Sequence, residues 1–178
     1  KGGIVSYVEH LNKGKDALYK PPFHVSQEKG DVIVEVAFQH CKDYYDENIY
    51  SFVNCIKTKE GGTHVVGFKS ALSKAVNKYV KKMNLAAKMD ESFMGEDVRE
   101  GLTAIVSLRI PNPQFEGQTK MKLGNSEIKG IVESVVDEAF GAYMDDKPGV
   151  GRAIVEKTLL AWRVRQATRK AQELERKK

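Results

Sequence analysis

Between Asp31 and Phe38 apolar and polar residues alternate, with Val32, Val34, Val36 and Phe38 on one side. Residues 48–56 repeat the pattern, Tyr50, Phe52 and Ile56 interleaving with Ile49, Val53 and Cys55. A third run places Leu102, Ala104, Val106, Leu108 and Ile110 on one face, and Pro111 and Pro113 bracket its end. Period-two spacing with β-branched and aromatic residues predicts three strands. The polar stretch from His40 to Glu47 reads as a hairpin connection between the first two. Cys55, inside the second strand, is expected as a small buried hydrophobe.

Elsewhere the period is helical. Ile4, Val8, Leu11 and Leu18 predict an opening helix over 4–19, interrupted at Gly14 and stopped by Pro21-Pro22. Gly61-Gly62 breaks the chain, and Thr63 is placed to cap a helix with Phe68, Leu72, Ala75, Val76, Tyr79 and Met83 inward. Residues 84–101 read as polar and irregular. Asn125 or Ser126 starts a helix with Glu127 in its first turn and Ile128, Ile131, Val132, Val135, Ala139 and Tyr143 as its stripe. After Pro148–Gly151 a last helix carries Leu160, Val164, Ala167, Ala171 and Leu174 at steps of four and three, a heptad-like seam. Over Arg152–Lys178 it would span roughly 40 Å, more than a domain this small covers, so its distal half projects or packs on something else. The order of elements predicts an α+β sandwich.

Composition sharpens this. The chain has 178 residues, 41% hydrophobic, enough for a core. No apolar run approaches the ~20 residues of a membrane span. The start, Lys1-Gly2-Gly3, has neither initiator Met nor signal pattern and reads as a cut inside a longer chain. Two cysteines exclude a disulfide scaffold and suit the cytoplasm. The net charge of +5 is unevenly placed: residues 152–178 hold nine basic residues and three acids, which leaves residues 1–151 with one excess negative charge.

Candidate chemistry is sparse. His10, His24, His40 and His64 with Cys41 and Cys55 offer no C-x-x-C or H-x-x-x-H spacing, so ordinary surface or core roles are expected. No G-x-S-x-G or P-loop occurs, and Gly149-x-Gly151 follows no strand. The loop between Ile110 and Asn125 is more suggestive. It leads into a helix N-terminus, which favours anions, and Gln118, Lys120 and Lys122 could hold a phosphate; from spacing alone a solvated loop with ordinary lysines is the preferred reading.

Specific strings decide between them. Glu60-Gly61-Gly62-Thr63-His64, then Gly95-Glu96-Asp97-Val98-Arg99-Glu100-Gly101-Leu102-Thr103-Ala104, then Pro113-Gln114-Phe115-Glu116-Gly117-Gln118-Thr119-Lys120-x-Lys122-Leu123-Gly124-Asn125 occur in order, and Arg163-x-Arg165-x-Ala167-x-Arg169-Lys170-Ala171 closes the chain. Together they resemble the bacterial type IIA topoisomerase ATPase subunit, the family of the gyrase B subunit and its topoisomerase IV counterpart. The resemblance covers nearly the whole chain.

It implies the transducer domain, an α+β two-layer sandwich like the second domain of ribosomal protein S5. That fold has a left-handed βαβ crossover, against the usual handedness. Residues 1–150 would be its body, with 1–20 as an opening helix or arm. Residues 151–178 would be a long basic helix leading to a Toprim region outside this chain. The resemblance assigns Gln118 and Lys120 to the γ-phosphate of ATP bound by a neighbouring domain; Met121 stands where many relatives carry threonine. It places Glu96, Asp97 and Glu100 around Arg99 in a structural turn. ATP and Mg²⁺ belong to the full subunit, with Mg²⁺ bound outside this segment, which alone should hydrolyse nothing. Double-stranded DNA, a gyrase A-type or topoisomerase IV A-type subunit and a second copy of the full protein are the implied partners.

The basic helix bears on one of these directly. Arg163, Lys170 and Lys177 flank one side of its seam and Arg165, Arg169 and Arg176 the other, a one-signed surface that attracts phosphate backbones. Arg163, Arg165, Arg169, Lys170 and Arg176 are the candidates for nonspecific duplex contact. Trp162 and Tyr143 are too few for a base-stacking platform. A non-catalytic nucleic-acid-binding module of the S5-like fold is the competing reading. It predicts tight, nucleotide-independent binding by the chain alone.

Overall fold

A computed structural model of the chain describes residues 3–84 and 93–177. Lys1-Gly2, the middle of the polar stretch 84–101 and Lys178 lie outside the described residues. Five strands form one mixed sheet: β1 (Phe23–Lys29), β2 (Val32–His40), β3 (Asn48–Val53), β4 (Ile56–Lys57) and β5 (Leu102–Arg109). Their spatial order is β1-β2-β5-β3-β4.

The expected hairpin between the first two predicted strands does not form. β5 lies between them, antiparallel to β2 through Val36↔Val106 and parallel to β3 through Tyr50↔Ile105. The physical reason is burial. Leu102–Val106 is buried on both faces, so the most apolar run takes the centre and displaces β3 outward. β1 escaped the alternation test because it is an edge strand, with Phe23 buried and the end of the strand exposed. It leads into β2 through a tight turn at Gly30, whose φ of 64° is left-handed.

Cys55 is not a buried strand residue. It is exposed, and with Asn54 it forms the two-residue turn between β3 and β4, at φ 68° and 50°. Positive φ at both positions is the hairpin geometry that matches strand twist. Asn54 suits it, since its side chain also accepts from Ile110 N at 3.0 Å and donates to Ile110 O at 2.9 Å.

Two 21-residue helices, α2 (Thr63–Met83) and α4 (Ser126–Asp146), lie side by side on one sheet face. Phe68, Leu72, Val76, Val132, Val135, Val136 and Phe140 fill the space against Val34, Val36, Phe38, Val106 and Leu108. Lys74–Glu133, Lys78–Asp137 and Lys82–Asp145 bridge the pair outside the core. These partners advance together along both helices, so the helices run parallel. Met83, expected inward, is exposed.

The opening helix α1 (Gly3–Leu11) is shorter than the predicted 4–19 and packs on the opposite face, where Val8 meets Ala37 and Ile105. Gly14, at φ 83°, lies in the turn that follows it. A short turn, α3 (Gly95–Val98), precedes β5. The last helix, α5 (Pro148–Arg176), begins four residues earlier than expected because proline fits the first helical position, where no amide partner is lost. Its inward residues are Gly151, Ile154, Val155, Thr158 and Ala161, whereas Leu160, Val164 and Leu174 of the seam are exposed. No helix among the described residues is long and apolar enough to cross a membrane.

Candidate functional site

The loop carrying Gln118 and Lys120 is a small hairpin seated on the sequence Glu60-Gly61-Gly62. Glu116 N donates to Lys122 O at 2.8 Å and Gly124 N to Gln114 O at 2.7 Å, closing its two limbs. Its returning limb is fastened to the start of α2. Leu123 N donates to Gly61 O at 3.0 Å, Thr63 N to Leu123 O at 3.1 Å and Glu60 N to Met121 O at 2.9 Å. Leu123 is buried and Phe115 half-buried, so the base is rooted in the core. Residues 116–120 are exposed.

At the exposed end Gly117 and Lys120 turn the chain, at φ 79° and 57°. A left-handed conformation costs a residue with a β-carbon roughly 1–2 kcal/mol, so the hairpin holds Lys120 in place against an intrinsic preference. Lys122 faces Glu116 at 3.1 Å, which matches its charge across the limbs. Lys120 and Gln118 remain at the outer end, both exposed. α2 and α4 both start beside Leu123 and run away from it, so two helix dipoles present their positive ends to the loop base.

The expected caps are rearranged. Gly62, not Thr63, is the N-cap of α2, with no side-chain cap bond, and Thr63 stands inside the helix. Asn125 is the N-cap of α4 but spends its side chain on the loop, accepting from Gln114 N at 2.6 Å. Its amide also donates to Glu127 Oε1 at 3.0 Å, which holds that carboxyl below the usual range.

Two histidines serve structure. His40 Nε2 donates to Val98 O at 2.9 Å and Nδ1 accepts from the Tyr19 hydroxyl at 2.8 Å, so the ring is neutral. Burial lowers its pKa to about 4. His64 in the first turn of α2 is lowered to about 4 by burial as well, and its Nε2 lies 3.2 Å from Thr58 Oγ1. Thr58 in turn contacts Ser51 Oγ at 2.6 Å, and Ser51 donates to Thr58 O at 3.0 Å. The chain of bonds is complete when His64 carries its proton on Nε2. Among the described residues no group of three His, Cys, Asp or Glu side chains could hold a metal ion.

On α5, Arg163, Arg169, Lys170 and Arg176 are exposed. Arg169 lies 3.8 Å from Glu173 within the helix. Arg165 is turned inward instead. Its Nη2 and Nε donate to Asp97 Oδ2 and Oδ1 at 2.8 and 3.2 Å, and Asp97 is 3% exposed. Asp97 Oδ2 also accepts from Met94 N at 3.0 Å, capping α3. Arg99 in the same turn binds Glu47 Oε2 at 2.6 Å. Sequence reasoning saw these acids as structural but not the partner of Asp97, which is 68 positions away. Trp162 and Tyr143 are half-buried.

A family model for DNA gyrase B matches residues 3–174. The chain belongs to the DNA gyrase B family. The DNA gyrase B protein of Halalkalibacterium halodurans is 51% identical over 178 residues, covering all of this chain and 28% of that protein. The type 2 topoisomerase B protein of Aquifex aeolicus is 53% identical over 176 residues, 99% of this chain and 22% of that one. The chain thus spans about a quarter of the length of these two relatives. Among solved structures, the 43K ATPase domain of Thermus thermophilus gyrase B, in complex with an aminocoumarin, superposes with a TM-score of 0.88 at 43% identity. The match covers 98% of this chain and 46% of that one. The topoisomerase IV ATP-binding domain of Francisella tularensis gives 0.79 at 30% identity, covering 92% and 43%. The mixed sheet and helices described above are therefore the gyrase B arrangement.

Proposed function

We propose that this chain is the transducer of an ATP-dependent type II DNA topoisomerase of gyrase B type. In this reading Gln118 and Lys120 contact the γ-phosphate of ATP held by a preceding domain. The observation that carries the reading is the loop: its base is fastened to α2 while its tip presents Gln118 and Lys120 outward. A lysine there loses its charge partner when the terminal phosphate leaves, and that difference in interaction can bias the position of α2. The residues at the tip suit a terminal phosphate chemically, since Gln118 supplies a neutral amide donor and Lys120 a mobile positive charge, both exposed.

The finer architecture belongs to the same proposal. The adjacent parallel strands β3 and β5, joined by a connection that includes α2, are compatible with an S5-like fold, and the left-handed crossover, residues 1–150 as body and 151–178 as the connecting helix belong to the proposal. Arg163, Arg169, Lys170 and Arg176 supply nonspecific duplex contact, whereas Arg165 is committed to Asp97. ATP with Mg²⁺, a gyrase A-type or topoisomerase IV A-type partner subunit, homodimerisation and a cytoplasmic setting go with the full subunit.

The test is Lys120→Ala in the full-length subunit combined with its partner. ATP turnover and strand passage should both fall by an order of magnitude or more, the scale of losing a charged contact to a reacting phosphate. Near-normal values of both would sink the reading.

A further inference from the structure

One described route from the loop to the projecting half of α5 runs through an ion pair. α2 begins at the contact that seats the loop, where Thr63 N donates to Leu123 O at 3.1 Å. Further along α2, Asn77 holds the backbone of Phe93, accepting from its N at 3.0 Å and donating to its O at 3.3 Å. The next residue, Met94, donates to Asp97 at 3.0 Å, and the same carboxylate receives both guanidinium bonds of Arg165. α3 is therefore tied to α2 on one side and to α5 on the other.

The position of Arg165 on α5 matters. Near its start, α5 packs closely on α2: a β-carbon at Gly151 would lie 2.6 Å from the Tyr79 ring. Arg165 stands 14 residues further on, roughly 20 Å along the helix. From Ala167 to Lys177 every residue is exposed, so the ion pair marks the place where the helix leaves the body. Contact at the helix start resists translation, and a bidentate bond at a distance from it resists rotation. Asp97 is buried, so salt screens the bond little.

We infer that the Asp97–Arg165 pair is the joint through which movement of α2 turns the projecting segment of α5. Asp97 and Arg165 are then positioning residues that set how much strand passage accompanies each ATP hydrolysed. The inference rests on the transducer reading. It assigns Arg165 a role distinct from that of the exposed cations beyond it.

The experiment uses the full-length subunit with its partner and measures ATP turnover and strand passage in the same reactions. Arg165→Lys retains the positive charge and loses the fork. It should leave turnover within about twofold of the parent and lower strand passage per ATP by about fivefold or more, within the range that coupling substitutions reach. Asp97→Asn should do the same, and if that variant does not fold, Arg165→Lys decides alone. Asn77→Leu, on the same route, should add little to Arg165→Lys in a double-mutant cycle. An unchanged ratio, or a proportional fall in both activities, overturns the joint. So does an Arg165→Lys variant with parental behaviour whose Arg165→Gln counterpart binds duplex less tightly with a shallower salt dependence, because Arg165 would then be a DNA contact. Failure of the transducer reading is separately visible, since Lys120→Ala would then leave turnover normal.

Discussion

Gly62 lies directly against the backbone of Leu123. A β-carbon at Gly62 would stand 2.4 Å from Leu123 N and 2.5 Å from Leu123 O, and the residue has φ 136°. The start of α2 and the returning limb of the Gln118–Lys120 loop share a space that admits no side chain. The second glycine of Gly61-Gly62 is thus a seat for the loop as well as a helix cap.

Gly62→Ala should therefore both destabilise the chain and unseat the loop. Backbone strain and a forced shift of Leu123 together are worth about 2–4 kcal/mol. Urea unfolding should show the loss, and limited proteolysis should cut near Lys120 faster than in the parent. Unchanged stability and cleavage would mean that the two segments part easily.

Two other glycines make an internal comparison of helix propensity with close packing. Replacing a helical glycine by alanine ordinarily stabilises by up to about 1 kcal/mol. A β-carbon at Gly130 on α4 would have nothing within 4 Å, so Gly130→Ala should follow that rule. A β-carbon at Gly67 on α2 would lie 2.4 Å from Lys129 O. Gly67→Ala should force α2 and α4 apart and cost about 2–3 kcal/mol, reversing the sign. Thermal melts of the two variants side by side would check both directions.

Acid should weaken the fold before most carboxylates titrate. His40 and His64 have folded pKa values of about 4, against an ordinary value of 6.5, because burial disfavours their charged forms. The unfolded chain therefore takes up these protons first as pH falls. Stability is intact above pH 6.5 and declines as pH falls from 6.5 to about 4, by up to about 3 kcal/mol for each histidine. Urea midpoints measured across that window should fall, and His40→Gln should flatten part of the slope. A midpoint independent of pH over this range would contradict the buried neutral rings.

The exposed cations of α5 should act on duplex DNA through charge alone. Arg169→Gln and Lys170→Gln should each weaken binding by the full subunit uniformly across sequences. Each should also reduce the slope of log affinity against log salt by about one. Titrations at several salt concentrations give the slope directly, and an unchanged slope would remove these residues from the interface.

Much of this was legible locally. Alternating residues marked β2, β3 and β5, and helical spacing marked the buried stripes of α2 and α4, because each depends on a period that neighbours in sequence set. The Gln118–Lys120 loop was legible as a motif, and its position between a strand and a helix was correct. Edge strand β1 was not, since an edge with one solvated face needs few apolar residues and leaves a weak alternation.

By itself, then, the sequence determined strands β2, β3 and β5, the long helices, the basic character of the last helix and the family to which the chain belongs. The tertiary structure alone decided the strand order, the seating of the loop on Gly62 and the inward turn of Arg165 toward Asp97. The physical reason is range. Propensity and periodicity act over a few residues, whereas β5 enters between β2 and β3 because two-sided burial favours the centre of a sheet. A buried carboxylate likewise draws its guanidinium partner from 68 positions away because an unmatched charge there is costly.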